Sequence, residues 1–174
     1  SIGKKLSAFN LSFPMSDGKL IYLESAFQGS KIFENGGPYN DLYSMEPFDI
    51  KKEDRISKEN VIKGFKFDGI EWDSEPKTAF YDWLYINAVF KNIENNGNEY
   101  KKILEYNAFT DIEFNPLKSI NCQARSCAVY VSLYKQNILE DALLRQLEAY
   151  EADFGTAILM EVETGQIKAI TNLK

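Results

Sequence analysis

The sequence predicts an α+β fold: a helix-rich single domain with small β elements, followed by a C-terminal helix and β-hairpin. Three observations lead there. Apolar residues recur at helical spacing over residues 23–33, 77–90 and 123–136. The runs between them that alternate are short, the clearest being GFKFDGIEW at residues 64–72. A hydrophobic content of 44% and an aromatic content of 14% over 174 residues supply enough apolar surface for one core.

Taken in order, residues 6–22 read as short extended pieces, with Ser16-Asp17-Gly18 as a turn between residues 11–15 and 20–23. Residues 23–33 read as a helix, since Leu23, Phe27 and Ser30 share one side with Ala26 and Phe33 beside them. Asn35-Gly36-Gly37-Pro38 ends it, Gly serving as C-cap and Pro blocking continuation. Residues 49–63 (DIKKEDRISKENVIK) form a charged, solvated helix-and-loop segment, with Ser57 a candidate N-cap ahead of Asn60 and Val61. The alternation over 64–72 predicts a strand or hairpin. Glu75-Pro76 opens an aromatic helix over 77–90, whose apolar side is Ala79, Phe80, Trp83, Leu84, Asn87 and Phe90. Residues 95–98 are a loop, 99–106 a third helix, and 109–119, with Pro116, a structured loop. Residues 123–136 read as a buried helix that 139–149 continue, and residues 156–161 and 166–170 as a hairpin around Glu163-Thr164-Gly165.

Composition removes several functions. A net charge of −6 argues against a broad basic face for nucleic acid, but leaves room for one modified nucleotide in a local pocket. The chain has no His, which excludes Ser-His-Asp and Cys-His catalysis and every His-ligated metal site. Cys122 and Cys127 lack zinc spacing, and two thiols cannot close a metal site alone. They read as reduced, small core residues, with a disulfide as the alternative. No metal and no cofactor is expected. There is no apolar run of membrane-spanning length and no apolar signal region after Lys5, so a cytoplasmic protein is expected. The chain begins without Met and reads as a piece of a longer one.

Three constellations carry possible chemistry. Glu24, Gln28 and Lys31 fall at i, i+4 and i+7, on one stripe beside the apolar face. On a helix the first and last stand about 10.5 Å apart along the axis, too far for a direct pair but within reach of one ligand. A solvated polar stripe is the plainer alternative, and spacing alone favours it. Asp111 and Glu113, in TDIEFNP, can position a proton donor or grip ribose hydroxyls, or serve turn chemistry around Pro116. In SINCQARS, Asn121, Gln123 and Arg125 gather at a helix start, where N–H groups favour anions and an Arg can hold a diphosphate bidentately. The alternative there is Asn121 as helix cap and Arg125 in a surface ion pair.

Together these segments resemble the NADAR family, whose signature has a Ser-x-Phe segment, a helix beginning Glu-x-x-Phe-Gln-x-x-Lys, a later acid, and an Asn/Arg-containing helix start. Here these are Ser7-Ala8-Phe9-Asn10, Glu24 to Lys31, Asp111, and Asn121 to Arg125. The strings LSAFNL, LESAFQGSKIFENGGPYNDLY, EPKTAFYDWLYINA, FTDIEFNP and SINCQARSCA resemble the branch that accompanies DarT-type DNA-modifying toxins. The Gly-rich run that precedes the Arg in the YbiA-like branch is absent, so the family's late acid aligns with either Asp111 or Glu113.

The resemblance implies a YbiA-like NADAR catalytic domain over residues 1–140, truncated at its N-terminus. It implies hydrolysis of the N-glycosidic bond between ADP-ribose and guanine in DNA, as an antitoxin to a DarT-type toxin. Lys31 would be nucleophile or electrophilic contact, Glu24 acid/base, and Asp111 or Glu113 a ribose ligand or proton-transfer partner. Arg125, Asn121 and Gln123 would hold diphosphate and ribose, Phe9 or Tyr39 would stack on a base, and Asn10 and Gln28 would line the pocket. Glu24, Gln28 and Lys31 should then face a pocket and not open solvent. Other activities compatible with the resemblance are an N-glycosidase on a riboflavin-pathway intermediate and a non-catalytic ADP-ribose-binding module. Residues 141–174 resemble the start of a penicillin-binding protein transpeptidase domain, without its catalytic Ser-x-x-Lys. Their hairpin, marginal alone, must pack on the rest or fray.

Overall fold

The computed structural model describes residues 1–15, 17–56, 61–96, 98–111, 121–160 and 167–173. Two compact units emerge, Ser1–Ser126 and Cys127–Lys174, and the architecture is α+β, with short antiparallel sheets and two long helices.

The first unit begins with α1 (Ile2–Lys5), then β1 (Ser12–Pro14) and β2 (Leu20–Tyr22), which pair antiparallel with Phe13 opposite Ile21. The chain passes directly into α2 (Leu23–Gly29), and two residues later into β3 (Lys31–Phe33). A 3-10 segment (Asn40–Ser44), α3 (Pro47–Ile50) and a second 3-10 turn (Asp54–Ile56) lead to β4 (Ile62–Phe67) and β5 (Ile70–Asp73). The sheet order is β3-β4-β5, all antiparallel. The turn between β4 and β5 uses Asp68 and Gly69, both at positive φ, the conformation that tight hairpins require. Then come α4 (Ala79–Asn96), α5 (Asn98–Lys101), a 3-10 turn (Lys102–Glu105) and the start of α6 (Gln123–Tyr150).

The core forms where α2, α4 and the β3-β4-β5 sheet present aromatic rings to one another. Phe27 stacks on Phe65 at 5.6 Å, and Phe65 on Phe80 at 4.6 Å. Tyr81 meets the Phe27 ring edge-on at 5.2 Å. Trp72 and Trp83 extend the cluster, 5.0 Å apart, which gives Trp83 the packing role the sequence predicts. Each such pair adds about 0.5–1.5 kcal/mol beyond its buried area.

The structure corrects several expectations. The helix predicted over 23–33 stops at Gly29, and Lys31 to Phe33 form a strand. Ser30 closes the helix by donating its hydroxyl to the Ala26 carbonyl at 2.6 Å, and its own carbonyl accepts the Lys66 N–H at 2.8 Å. Ladder bonds from β4 thus replace the last helical turn. In α4 the buried stripe runs through Phe80, Tyr81, Leu84, Tyr85, Ala88, Val89 and Asn92, while Phe90 is half exposed. Asn87 bonds the Trp83 carbonyl one turn back instead of facing the core. Along residues 123–136 Cys127, Tyr130 and Val131 are buried but Leu133 and Tyr134 are exposed. That stretch is one face of a single helix reaching Tyr150. Residues 98–105 form a short α turn plus a 3-10 turn, and α3 begins at Pro47, ahead of the charged segment. Ser57, Asn60, Pro116 and the turn Glu163-Thr164-Gly165 lie outside the described residues.

In the second unit β6 (Gly155–Met160) and β7 (Ile167–Leu173) form the antiparallel hairpin. It packs on the helix of its own unit. A Cβ on Gly155 would press on Leu147 and Leu143, and the Thr171 hydroxyl donates to Glu140 at 3.2 Å. Neither cysteine forms a disulfide; Cys127 is buried and Cys122 half-buried.

Candidate functional site

The α2–β3 junction brings Glu24, Gln28 and Lys31 into one hydrogen-bonded line. Glu24 lies in the first turn of α2 and is only 8% exposed. No side chain caps this helix. Its first N–H groups are instead taken by the loop before β1: Leu23 donates to the Leu11 carbonyl at 2.9 Å and Glu24 to the Ala8 carbonyl at 3.0 Å. The carboxylate Oε1 accepts from Gln28 Nε2 at 3.0 Å. Its other oxygen has no hydrogen-bond partner among the described residues. Gln28 Oε1 in turn accepts from Lys31 Nζ at 2.5 Å, and that ammonium sits 5.0 Å from the centre of the Phe27 ring. The 10.5 Å helical separation expected of Glu24 and Lys31 does not apply, because the turn into β3 carries Lys31 back toward Gln28.

The junction is fixed on several sides. Ser25 donates to the Met45 carbonyl at 2.7 Å, and Ser30 and Tyr43 share a hydroxyl contact at 3.0 Å. Burial raises the Tyr43 phenol above its ordinary 10.0, opposed by the Ser30 bond. Gly37 has φ +91, and a Cβ there would overlap the Lys31 carbonyl oxygen. Only glycine lets the loop after β3 lie that close.

The start of α6 gathers a different set. Asp111 Oδ2 accepts from the Cys122 thiol at 2.7 Å, and its Oδ1 accepts the Ala124 N–H at 3.1 Å. Asp111 is therefore the helix cap. Burial, followed by the Asp111 carboxylate, raises the Cys122 thiol above its ordinary 9.0. Cys122 Sγ receives the Arg125 N–H at 3.4 Å. The free N–H groups expected of this helix start are thus partly occupied from within. Arg125 Nη1 bonds Asp82 and, at 2.8 Å, Thr78 Oγ1. The second Asp82 oxygen accepts from Ser126 Oγ at 2.6 Å. Gln123 donates to the Gly3 carbonyl at 2.9 Å, and Asn121 lies half-buried just ahead of the helix.

The remaining predicted ligands fall elsewhere. Phe9 follows Ala8, with its ring 5.0 Å from Phe48 and 4.2 Å from Lys51 Nζ. Asn10 donates to the Lys4 carbonyl at 3.0 Å. The Tyr39 ring carries the Arg55 guanidinium at 4.9 Å, and Arg55 is held by Asp41 and Glu53, which raise its pKa. A base can stack on that side of Tyr39 only by displacing Arg55. Glu113 lies outside the described residues. Phe48, Lys51 and Asp82 were not singled out from sequence. Asp82 did leave one signal, standing one helical turn after Thr78, the residue that precedes α4.

A carboxylate, an amide and an amine in line can steady positive charge at a sugar carbon and move a proton to a leaving group. The first unit is an α+β domain that carries this arrangement without a histidine. Residues 1–159 match the model of the DarT1-associated NADAR antitoxin family, and the chain belongs to that family. The match runs through α6 and into β6. No curated protein matches the chain. Among the described residues no helix is long and apolar enough to cross a membrane.

Proposed function

We propose that the protein hydrolyses the N-glycosidic bond joining ADP-ribose to the amino group of guanine in DNA, and so acts as antitoxin to a DarT-type DNA ADP-ribosyltransferase. The observation that carries this reading is the Glu24–Gln28–Lys31 line, in a chain of a DarT1-associated antitoxin family. The Lys31 amine in its unprotonated form attacks the anomeric carbon, and the bond from that carbon to the guanine nitrogen breaks as Glu24, in its acid form, protonates the departing amino group. Opening of the ribose ring gives an imine on Lys31, and water hydrolyses it to free ADP-ribose and the amine. Gln28 orients both partners by hydrogen bonding.

In this reading Arg125, tethered through Nη1, offers Nε and Nη2 to the diphosphate, with Asn121 and Gln123 beside it. Asp111 acts through the helix start it caps, and Glu113 is the alternative ribose ligand. The chemistry is assigned to residues 1–140, and the helix-and-hairpin tail of residues 141–174 takes no part in it.

The test is incubation with an oligonucleotide ADP-ribosylated on guanine, following release of ADP-ribose. The expected result is release by the native protein, its loss in Lys31→Ala, and a borohydride-trapped adduct on Lys31. Tight ADP-ribose binding without release would leave only a binding module. Base release from the ribosylated riboflavin intermediate, and none from DNA, would overturn the DNA reading.

A further inference from the structure

Phe48 is 73% exposed although its own short helix is anchored: Pro47 and Ile50 on either side of it are buried. A large aromatic ring held outward on a fixed helix is costly to leave in water. Among the described residues its one ring contact is Phe9, at 5.0 Å and tilted by 45°. Lys51 stands over the other ring of the pair, 4.2 Å from the Phe9 centroid. The neighbouring cations are already neutralised, Lys52 by Asp49 and Arg55 by Asp41 and Glu53. Lys51, among the described residues, has no carboxylate partner.

The position of this pair relative to Glu24 is fixed by the backbone. Ala8, the residue before Phe9, accepts the N–H of Glu24. On the other side, Ser25 bonds the Met45 carbonyl, two residues before α3. Both rings therefore hang from segments tied to the first turn of α2.

We infer that Phe48, Phe9 and Lys51 form a platform for single-stranded DNA, one base stacking on the exposed Phe48 ring and the adjoining phosphate meeting Lys51. The inference deepens the hydrolase reading and rests on it: the platform holds nucleotides that flank the modified guanine. A flat π-face beside a cation is the pairing that sequence-tolerant single-strand binding uses. It reconciles a DNA substrate with a chain of net charge −6, because stacking supplies affinity that a broad basic face otherwise would.

The test is fluorescence anisotropy with an unmodified, labelled oligothymidylate on the full chain, with thermal melting as the fold control. The native protein is expected to bind, Phe48→Ala to bind about ten-fold more weakly, and Phe48→Tyr to keep most of the affinity. Lys51→Ala is expected to weaken binding and flatten the salt dependence by about 0.7 in the log–log slope. Native-like affinity in both Ala variants, or no binding by the native protein, overturns the platform. So does loss of toxin association in Phe48→Ala with DNA affinity intact, which would assign the ring to a protein partner. Oligonucleotide held through Phe48 by a protein that releases no ADP-ribose would sink the hydrolase reading and leave the platform standing. Release of ADP-ribose with DNA affinity indifferent to Phe48 would do the reverse.

Discussion

The α2–β3 junction and the start of α6 both collect acids, amides and a cation, yet they use them in opposite ways. At the start of α6 both Asp111 oxygens are engaged, by Cys122 and Ala124, and both Asp82 oxygens by Arg125 and Ser126. At the junction Glu24 is buried to 8% exposure yet commits one oxygen to a neutral amide. A density of charged residues is therefore a poor pointer to chemistry. A largely buried carboxylate that leaves one oxygen uncommitted is a better one, since that oxygen stays open to a substrate.

The largest expected effect tests that contrast directly. Glu24→Gln should lower ADP-ribose release by about 10²- to 10⁴-fold, while the melting temperature stays within a few degrees of native. A variant that melts early but still hydrolyses would reverse the roles of the two regions. At the start of α6 the order of effects inverts. Asp82→Ala removes both charged hydrogen bonds and should cost about 2 kcal/mol, read as a melting point lower by roughly 5 °C. Because the Arg125 side chain is half exposed, Arg125→Ala should cost less stability than Asp82→Ala. Equal losses would mean that Ser126 contributes little.

Gly37→Ala sharpens the picture of the junction itself. It places a Cβ on a residue at φ +91 against the Lys31 carbonyl, and should destabilise by about 1 kcal/mol or more with a fall in kcat. Unchanged kcat would show that Lys31 tolerates a shift of its backbone. The smallest effect concerns Cys122. A thiol whose folded pKa is raised above 9.0 keeps its proton where the unfolded chain has lost it. Its contribution to stability is full below about pH 9 and fades as pH rises through the folded value. Cys122→Ala should flatten that alkaline slope, and Asp111→Asn should speed alkylation of Cys122 at neutral pH. A slope that persists in Cys122→Ala would place it on another group, Tyr43 being the first to examine.

Much of the fold was legible because it is local. The entry into α2, the β4–β5 hairpin, the body of α4 and the β6–β7 hairpin follow from periodicity and turn residues. The end of α2 was not. Ile32 and Phe33 fit a helical or an extended period equally well, and what decides is pairing with Gly64 and Ile62, some thirty residues on. The candidate site divides the same way. Glu24 and Gln28, one helical turn apart, were placed together by spacing alone. That Arg125 would be tied to Asp82 and that Phe9 would meet Phe48 depend on contacts across about forty residues, which no local pattern encodes.

The passage from α2 into β3 through the single residue Ser30 makes Lys31 the first member of a strand register. Strand side chains alternate between faces and advance about 3.3 Å per residue. One residue inserted after Ser30 would put Lys31 on the opposite face of the sheet, while an insertion in the Asp68-Gly69 turn would leave it where it is. The amine is thus indexed by the sheet and not by the helix, and length variation at this join is a yes-or-no matter with no intermediate settings.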